Sequence, residues 1–202
     1  MRKKPMLAYP VSDKPIDYTQ PVFMQPKLDG VRCLIQYERR TQPREDVVVA
    51  YSRTGKEWKN ISHILQSLLP FFQANPDVIL DGELYNHALK DDFEKIISCV
   101  RKQKPTDIDK AESRRLVQFH CYDIVNESIT FDKRYKFVFD NLRDAYGVRT
   151  VQTHEVHAEK YAYQLHETFL DNGYEGSILR LNDVYQCKRS HSLRKFKDFH
   201  DA

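Results

Sequence analysis

A few lysines and carboxylates of this 202-residue chain stand beside glycines at spacings that suit phosphoryl chemistry. In the stretch QPKLDGVR, Lys27 lies two residues before Asp29-Gly30, and Arg32 follows. A lysine amine attacks phosphorus only when neutral, yet a free lysine has a pKa near ~10.4. Lowering it by ~3 units takes about 4 kcal/mol of differential stabilisation, which nearby cations and partial burial supply by disfavouring the ammonium form. Lys195 and Lys197 are two apart, so on a strand they share one face and are the expected cationic neighbours of Lys27. Glu83 and Glu175 each adjoin a glycine, which lets backbone and ligand approach closely, and such carboxylates suit magnesium. Taken alone, K-x-D-G reads better as a hairpin turn beside a solvated lysine, and further stretches of the chain change the balance.

These residues need a scaffold, and the pattern around them supplies short strands and a few amphipathic helices. Residues 31–37 (VRCLIQY) predict a strand leaving the Asp29-Gly30 turn, and 47–52 (VVVAYS) a second one ended by Thr54-Gly55. Ile61, Ile64, Leu65, Leu68 and Leu69 keep helical spacing and stop at Pro70. Val78–Leu80 lead into Asp81-Gly82, with Leu84-Tyr85 as a returning strand. Phe93, Ile96, Ile97 and Val100 share a helical face, and 101–115 reads as a polar, basic surface loop. A strand over 116–125 precedes a helix over 131–146. One short strand near 148–156 then leads to a helix stopped by Gly173, and the last strands fall at 176–181 and 193–196. The result is an α+β pattern, not the regular alternation of a doubly wound sheet.

Composition bounds the rest. Hydrophobic residues at 41% and aromatics at 12% can build one packed domain over residues 1–202. No apolar run approaches the ~18 residues that span a bilayer, and the basic start MRKKPMLAYP lacks a secretory apolar region, so a cytoplasmic protein is expected. Cys33, Cys99, Cys121 and Cys187 are scattered, which fits reduced core thiols better than a zinc site. His154-Glu-Val-His157 is one residue short of the helical zinc spacing and reads as a polar strand edge. Net charge is only +3, but Arg101–Lys104, Arg114-Arg115 and the group Lys188, Arg189, Arg194, Lys195 and Lys197 concentrate positive charge that suits a polyphosphate partner.

Beside KLDGVR, five further stretches occur in a fixed order: Ser52-Arg53-Thr54-Gly55-Lys56, Asp81-Gly82-Glu83, Phe119-His-Cys-Tyr122-Asp123, Glu175-Gly176-Ser-Ile-Leu-Arg180 and Lys195-Phe-Lys197. This order resembles the covalent nucleotidyltransferases, and most closely the ATP-dependent DNA ligases of small phage-like type. KLDG followed by arginine favours ligases over messenger-RNA capping enzymes. The resemblance implies an ATP-grasp-like adenylation fold of antiparallel sheets flanked by helices. It implies Lys27 as the residue that takes AMP from ATP, with Lys195 and Lys197 at the α-phosphate. Glu83 would reach the ribose hydroxyl and help hold Mg2+, and Glu175 would sit at the metal. Tyr122 would stack on adenine, while a side-chain or backbone group of Gln25 reads its edge. Arg32 and Arg53 match arginines that grip the ribose or a 5′-phosphate. Arg180 replaces a family lysine, keeping the charge but not its point-like form.

The implied substrate is nicked double-stranded DNA, sealed by a monomer in the cytoplasm of a bacterial or virus-infected cell. An RNA ligase and a catalytically idle nucleic-acid-binding relative remain alternative readings. The 26 residues before Lys27 leave no room for a nicotinamide-recognition domain, so ATP is the expected donor. Ligases of this type continue into an OB-fold, here expected to be supplied in cis or in trans.

Overall fold

The computed structural model describes residues 2–41, 44–142 and 145–197. Strand β3 (Val31–Thr41) shows how alternation becomes a two-sided sheet: Cys33 and Ile35 are fully buried on one face, while Arg32 points from the other into a cleft. It lies between β4 (Arg44–Tyr51) and β5 (Leu80–Tyr85); β6 (Gln118–Ile124) and β7 (Val148–Thr150) complete a sheet ordered β4-β3-β5-β6-β7. Helices α1 (Ser62–Ala74), α2 (Phe93–Val100) and α4 (Phe131–Asn141) supply Ile64, Leu68, Phe72, Ile96, Val100 and Val138 to the core on its outer face.

The other sheet contains β1 (Leu7–Pro10), β2 (Val22–Lys27), β8 (His154–Val156), β9 (Gly176–Leu181) and β10 (Arg189–Phe196), in the order β1-β10-β9-β2-β8. Its outer face sets Val22, Met24, Leu179 and Phe196 against Ala162 and Phe169 of α5 (Glu159–Asp171). Most neighbouring strands run antiparallel, but β1 with β10 and β6 with β7 are parallel.

Several elements depart from the expected pattern. Asp29-Gly30 is not a hairpin turn, because β2 belongs to one sheet and β3 to the other; the turn is where the chain crosses between them. The single strand expected near 148–156 is likewise two strands in different sheets, β7 and β8, joined by a second crossing. Asp81-Gly82 sits inside continuous β5 rather than turning it. Helix α1 runs through Pro70 to Ala74. An interior proline costs ~3 kcal/mol, but continuing the helix buries Phe72 completely and sets Phe71 against Phe72 and Phe137, at about 1.5–3 kcal/mol per phenylalanine.

The basic segment 101–115 contains a helix, α3 (Asp107–Leu116), closed at its start by a capping box between Thr106 and Asp109. Helix α4 stops at Asn141, short of the expected 146; residues 143–144 of that span lie outside the described residues. Gly173 does end α5, in the left-handed region at φ 88°. His154–Val156 forms the polar edge strand expected of it, and Cys33, Cys99 and Cys121 are buried. No helix among the described residues is long and apolar enough to cross a membrane.

Candidate active site

The inner faces of the two sheets enclose a cleft of about 440 Å³. On one wall, period-two alternation aims Gln25 and Lys27 of β2, Ile178 and Arg180 of β9 and Lys195 of β10 into it. Ladder register aligns them in rows: Gln25 opposes Ile178, which opposes Lys195, and Lys27 opposes Gly176. Gly176 is required by close approach, since a Cβ there would lie 2.1 Å from the Phe196 carbonyl oxygen. Arg194 and Phe196 turn to the other face, so Lys195 and Lys197 do share one side of the strand.

Lys27 Nζ donates to Glu175 Oε2 at 3.0 Å, and Lys197 Nζ lies 3.7 Å from Glu175 Oε1. The nucleophile candidate is thus paired with a carboxylate, whereas the sequence reading placed it among cations. Glu175 lies between α5 and β9, immediately before Gly176, and bridges Lys27 at the end of β2 and Lys197 just past β10. Asp29 is the neighbour that sequence reasoning missed. Its carboxyl is pushed up by desolvation and by the Glu175 charge, against the pull of Lys27 and Lys197.

On the facing wall Arg32 and Glu83 oppose one another in the ladder between β3 and β5. Tyr122 is the extra residue of a bulge in β6, because Asp81 pairs with Asp123 while Gly82 pairs with Cys121. The bulge aims Tyr122 into the cleft, where its hydroxyl donates to Glu83 Oε1 at 3.0 Å. Burial pushes the Glu83 carboxyl up to about 7, against the pull of Arg32 and the Tyr122 hydrogen bond.

Arg53 and Thr54 reach the rim from a tight turn closed by Ser52 N–H to the Lys56 carbonyl at 2.7 Å. Lys56 is exposed on that turn.

Two of the expected ligand-binding arginines have internal partners. Arg32 donates from Nε and Nη2 to both oxygens of Asp81 at 2.7 Å, and from Nη2 to the Met6 carbonyl at 2.8 Å. Arg180 donates from Nε to Gln25 Oε1 at 2.7 Å and from Nη1 to Asp123 Oδ2 at 2.8 Å. Asp123 also accepts from Nε and Nη2 of Arg134, at 2.8 and 3.2 Å. Gln25 Nε2 donates to the Tyr122 carbonyl and to Thr153 Oγ1. Both of its amide protons are thus committed and its oxygen already accepts from Arg180, so the side chain offers a ligand no donor, and the backbone of β2 is the group free to supply one. The sequence reading placed Asp81 and Asp123 in its ordered stretches without giving either a role, and it did not single out Arg134. Ile178, in contrast, was accessible to it, as it alternates with Gly176 and Arg180.

Among the described residues no group of three or more histidine, cysteine or acidic side chains forms a metal cluster. The carboxylates that line or border the cleft, Glu83 and Glu175, nevertheless fit magnesium, which takes one or two carboxylates and completes its shell with phosphate oxygens and water.

The family described as ATP dependent DNA ligase domain matches residues 5–197. A DNA ligase of African swine fever virus is 28% identical over 195 residues, covering 92% of this chain and 43% of that ligase. This chain thus spans less than half the length of that relative. Two solved structures share the fold. A Chlorella virus DNA ligase-adenylate has a TM-score of 0.65 at 20% identity, over 96% of this chain and 67% of that one. The ATP-dependent DNA ligase of bacteriophage T7 in complex with ATP has a TM-score of 0.67 at 19% identity, over 96% and 68%. With the family match running over nearly its whole length, this chain belongs to the ATP-dependent DNA ligase domain family.

Proposed function

We propose that this chain is the adenylation core of an ATP-dependent ligase that seals nicks in duplex DNA, working as a monomer in the cytoplasm. What carries the reading is the convergence of Lys27, Glu175, Lys195 and Lys197 on one cleft that also presents Tyr122 and Ile178. In the first step the Lys27 amine attacks the α-phosphorus of ATP. A nitrogen–phosphorus bond forms, the bond to pyrophosphate breaks, and the amine proton leaves. Glu175 Oε2, at 3.0 Å from Nζ, is the acceptor in reach of that proton.

Lys195 and Lys197 set positive charge where negative charge gathers on the phosphate oxygens, and positioning plus electrostatics supply most of the catalysis in such transfers. The purine slots between Tyr122 and Ile178, with its edge read by the β2 backbone near Gln25, and Glu83 takes the ribose hydroxyl. Glu83 and Glu175 would hold Mg2+, which when bound offsets charge on the phosphates. AMP then passes from Lys27 to an oxygen of the DNA 5′-phosphate gripped by Arg53, and the 3′-hydroxyl displaces AMP to close the backbone. A duplex-clamping module, in the same chain or supplied in trans, completes the sealing enzyme.

Incubation with radiolabelled ATP and magnesium, followed by a denaturing gel, tests the first step. The expected result is a labelled protein whose adduct is acid-labile and base-stable, and which Lys27→Ala abolishes. An adduct of undiminished yield in that variant rejects the reading. Sealing of nicked DNA but not of single-stranded RNA separates it from an RNA ligase.

A further inference from the structure

Beside the cleft runs a second groove, of about 320 Å³, that the adenylation chemistry does not use. Its charged lining is Arg2, Lys4, Arg53 and Lys188, without a carboxylate. Among the described residues none of the four takes part in an ion pair, although acidic partners occupy other lysines nearby. Lys3, between two of them, turns away to Glu127 at 3.0 Å. The parallel pairing of β1 with β10 builds the groove, since the register Leu7↔Arg189, with Leu7 N–H bonded to the Lys188 carbonyl, brings the N-terminal segment alongside Lys188. Arg2 then lies over the turn that carries Arg53. A Cβ on Gly55 would come within 2.3 Å of the Arg2 guanidinium carbon, which sets the Arg2 head directly against this turn, while the φ of 96° is what favours glycine there. Leu7, Arg53 and Thr54 line both groove and cleft, which makes the two continuous.

Four like charges lining one groove, none of them in an ion pair among the described residues, repel one another, and the cost is relieved by a bound polyanion. Arginine and lysine both suit phosphate oxygens, and a row of them follows a repeating phosphate chain. We propose that Arg2, Lys4 and Lys188 form a phosphate-binding track that carries the sugar–phosphate backbone of duplex DNA away from the nick, with Arg53 at the junction with the cleft. The same chemistry would suit the pyrophosphate end of ATP. Backbone phosphates are favoured because the exposed Arg2, Lys4 and Lys188 line the groove and not the cleft, whereas Lys27 and Lys195 line the cleft and not the groove. This inference rests on the proposed ligase reading.

The test compares the wild type with the triple variant Arg2→Gln, Lys4→Gln, Lys188→Gln and with a charge-keeping control in which Arg2→Lys and Lys188→Arg are combined. Binding of a fluorescein-labelled nicked duplex is followed by anisotropy across a salt series, and adduct formation with ATP is measured in parallel. Each lost phosphate contact lowers the log–log salt slope by ~0.9, so the triple variant should lose two to three units of slope and bind at least about tenfold more weakly at 0.1 M salt. Adduct yield and the KM for ATP should be unchanged, and the control should bind like wild type. Unaltered affinity and slope in the triple variant overturn the track. So does a raised KM for ATP with normal DNA binding, which would assign the groove to the triphosphate. Absence of any adduct in the wild type strikes at the ligase reading itself, whereas a normal adduct with normal DNA binding in the variant strikes only at the track.

Discussion

The arginines at the floor of the cleft and the cations at its mouth are alike in sequence and opposite in circumstance. On the floor, Arg134 and Arg180 are about 98–99% buried, and each is paired with Asp123, while Arg32 is paired with Asp81. These pairs tie the sheets together: Arg180 of one reaches Asp123 of the other, and Tyr185, which precedes β10, donates to Asp81 at 2.8 Å. At the mouth, Arg53 is exposed, Lys195 is partly exposed, and neither has a carboxylate partner among the described residues. A buried charge must be paired or it costs several kcal/mol. A charge left without a partner at a cleft rim keeps its capacity for a ligand. Burial and pairing, more than residue type, thus separate the scaffold from the chemistry.

The sharpest way to break that comparison is Asp123→Ala. It leaves two buried guanidinium groups without their counter-charge, and removing one partner of a buried pair costs ~3–5 kcal/mol. Denaturant unfolding should show a loss of at least that size. A loss below about 1 kcal/mol would mean that water reaches the floor and that its arginines resemble those of the mouth. Lys195→Ala is the complementary change at the mouth. The melting curve should stay within about 0.5 kcal/mol of wild type, as for surface sites without special contacts. The rate of adduct formation should fall by ~10²–10³, the usual cost of one preorganised group facing developing negative charge. A stability loss comparable with that of Asp123→Ala would move Lys195 from the mouth to the floor.

The same contrast explains how much the sequence disclosed. Phosphoryl transfer restricts both residue type and spacing, so the proposed site residues Lys27, Glu175, Lys195 and Lys197 could be singled out in the sequence, and ion pairs and a shared cleft bring them near one another. Period-two runs such as VRCLIQY announced their strands. Long-range pairing was not legible. Nothing local says that Asp29-Gly30 leaves one sheet for another, or that Arg180 spends its guanidinium on Gln25 and Asp123.

Helix α3 was hidden for another reason. It buries only Ser113, so it lacks an apolar stripe, and its evidence lay in the Thr106–Asp109 capping box, the acidic first turn and Arg114-Arg115 in the last. That basic pair, read as a candidate for a polyphosphate, sits at the end of a helix where positive charge is favoured, and Arg114 also lies 4.7 Å over the Tyr146 ring.

His120 offers a middle case, half-buried and in no ion pair among the described residues. Burial first, then the charges of Arg149 and His87, press its pKa down to about 4, and its Nε2 lies 2.9 Å from Gln118 Oε1. The folded protein therefore binds fewer protons at this site than the unfolded chain between pH ~4 and ~6.5, so its contribution favours folding more as pH rises through that window. The gap corresponds to about 2 kcal/mol once partial exposure is discounted. Thermal melts from pH 4 to 7 should show wild type gaining that much relative to His120→Gln. Parallel curves would place a counter-charge near the ring and return it to the paired class.

Tyr122 belongs to both regions, and its smallest change asks which one governs it. Its ring lies 5.0 Å from the Arg180 guanidinium carbon and 5.4 Å from that of Arg32, while its hydroxyl points forward to Glu83. Tyr122→Phe keeps the ring and its cationic neighbours and removes only the hydrogen bond that orients Glu83. A hydrogen bond to such a carboxyl contributes about 1 kcal/mol net. The KM for ATP in adduct formation should therefore rise roughly fivefold, the equivalent of that energy, with the saturated rate nearly unchanged, because the proposed role of Glu83 is to hold the ribose and not the reacting phosphorus. A fall in the saturated rate at constant KM would instead put the hydroxyl in the transition state and Tyr122 wholly at the mouth. A drop in stability without a kinetic effect would return it to the floor, where Asp81 and Asp123 already hold the neighbouring arginines.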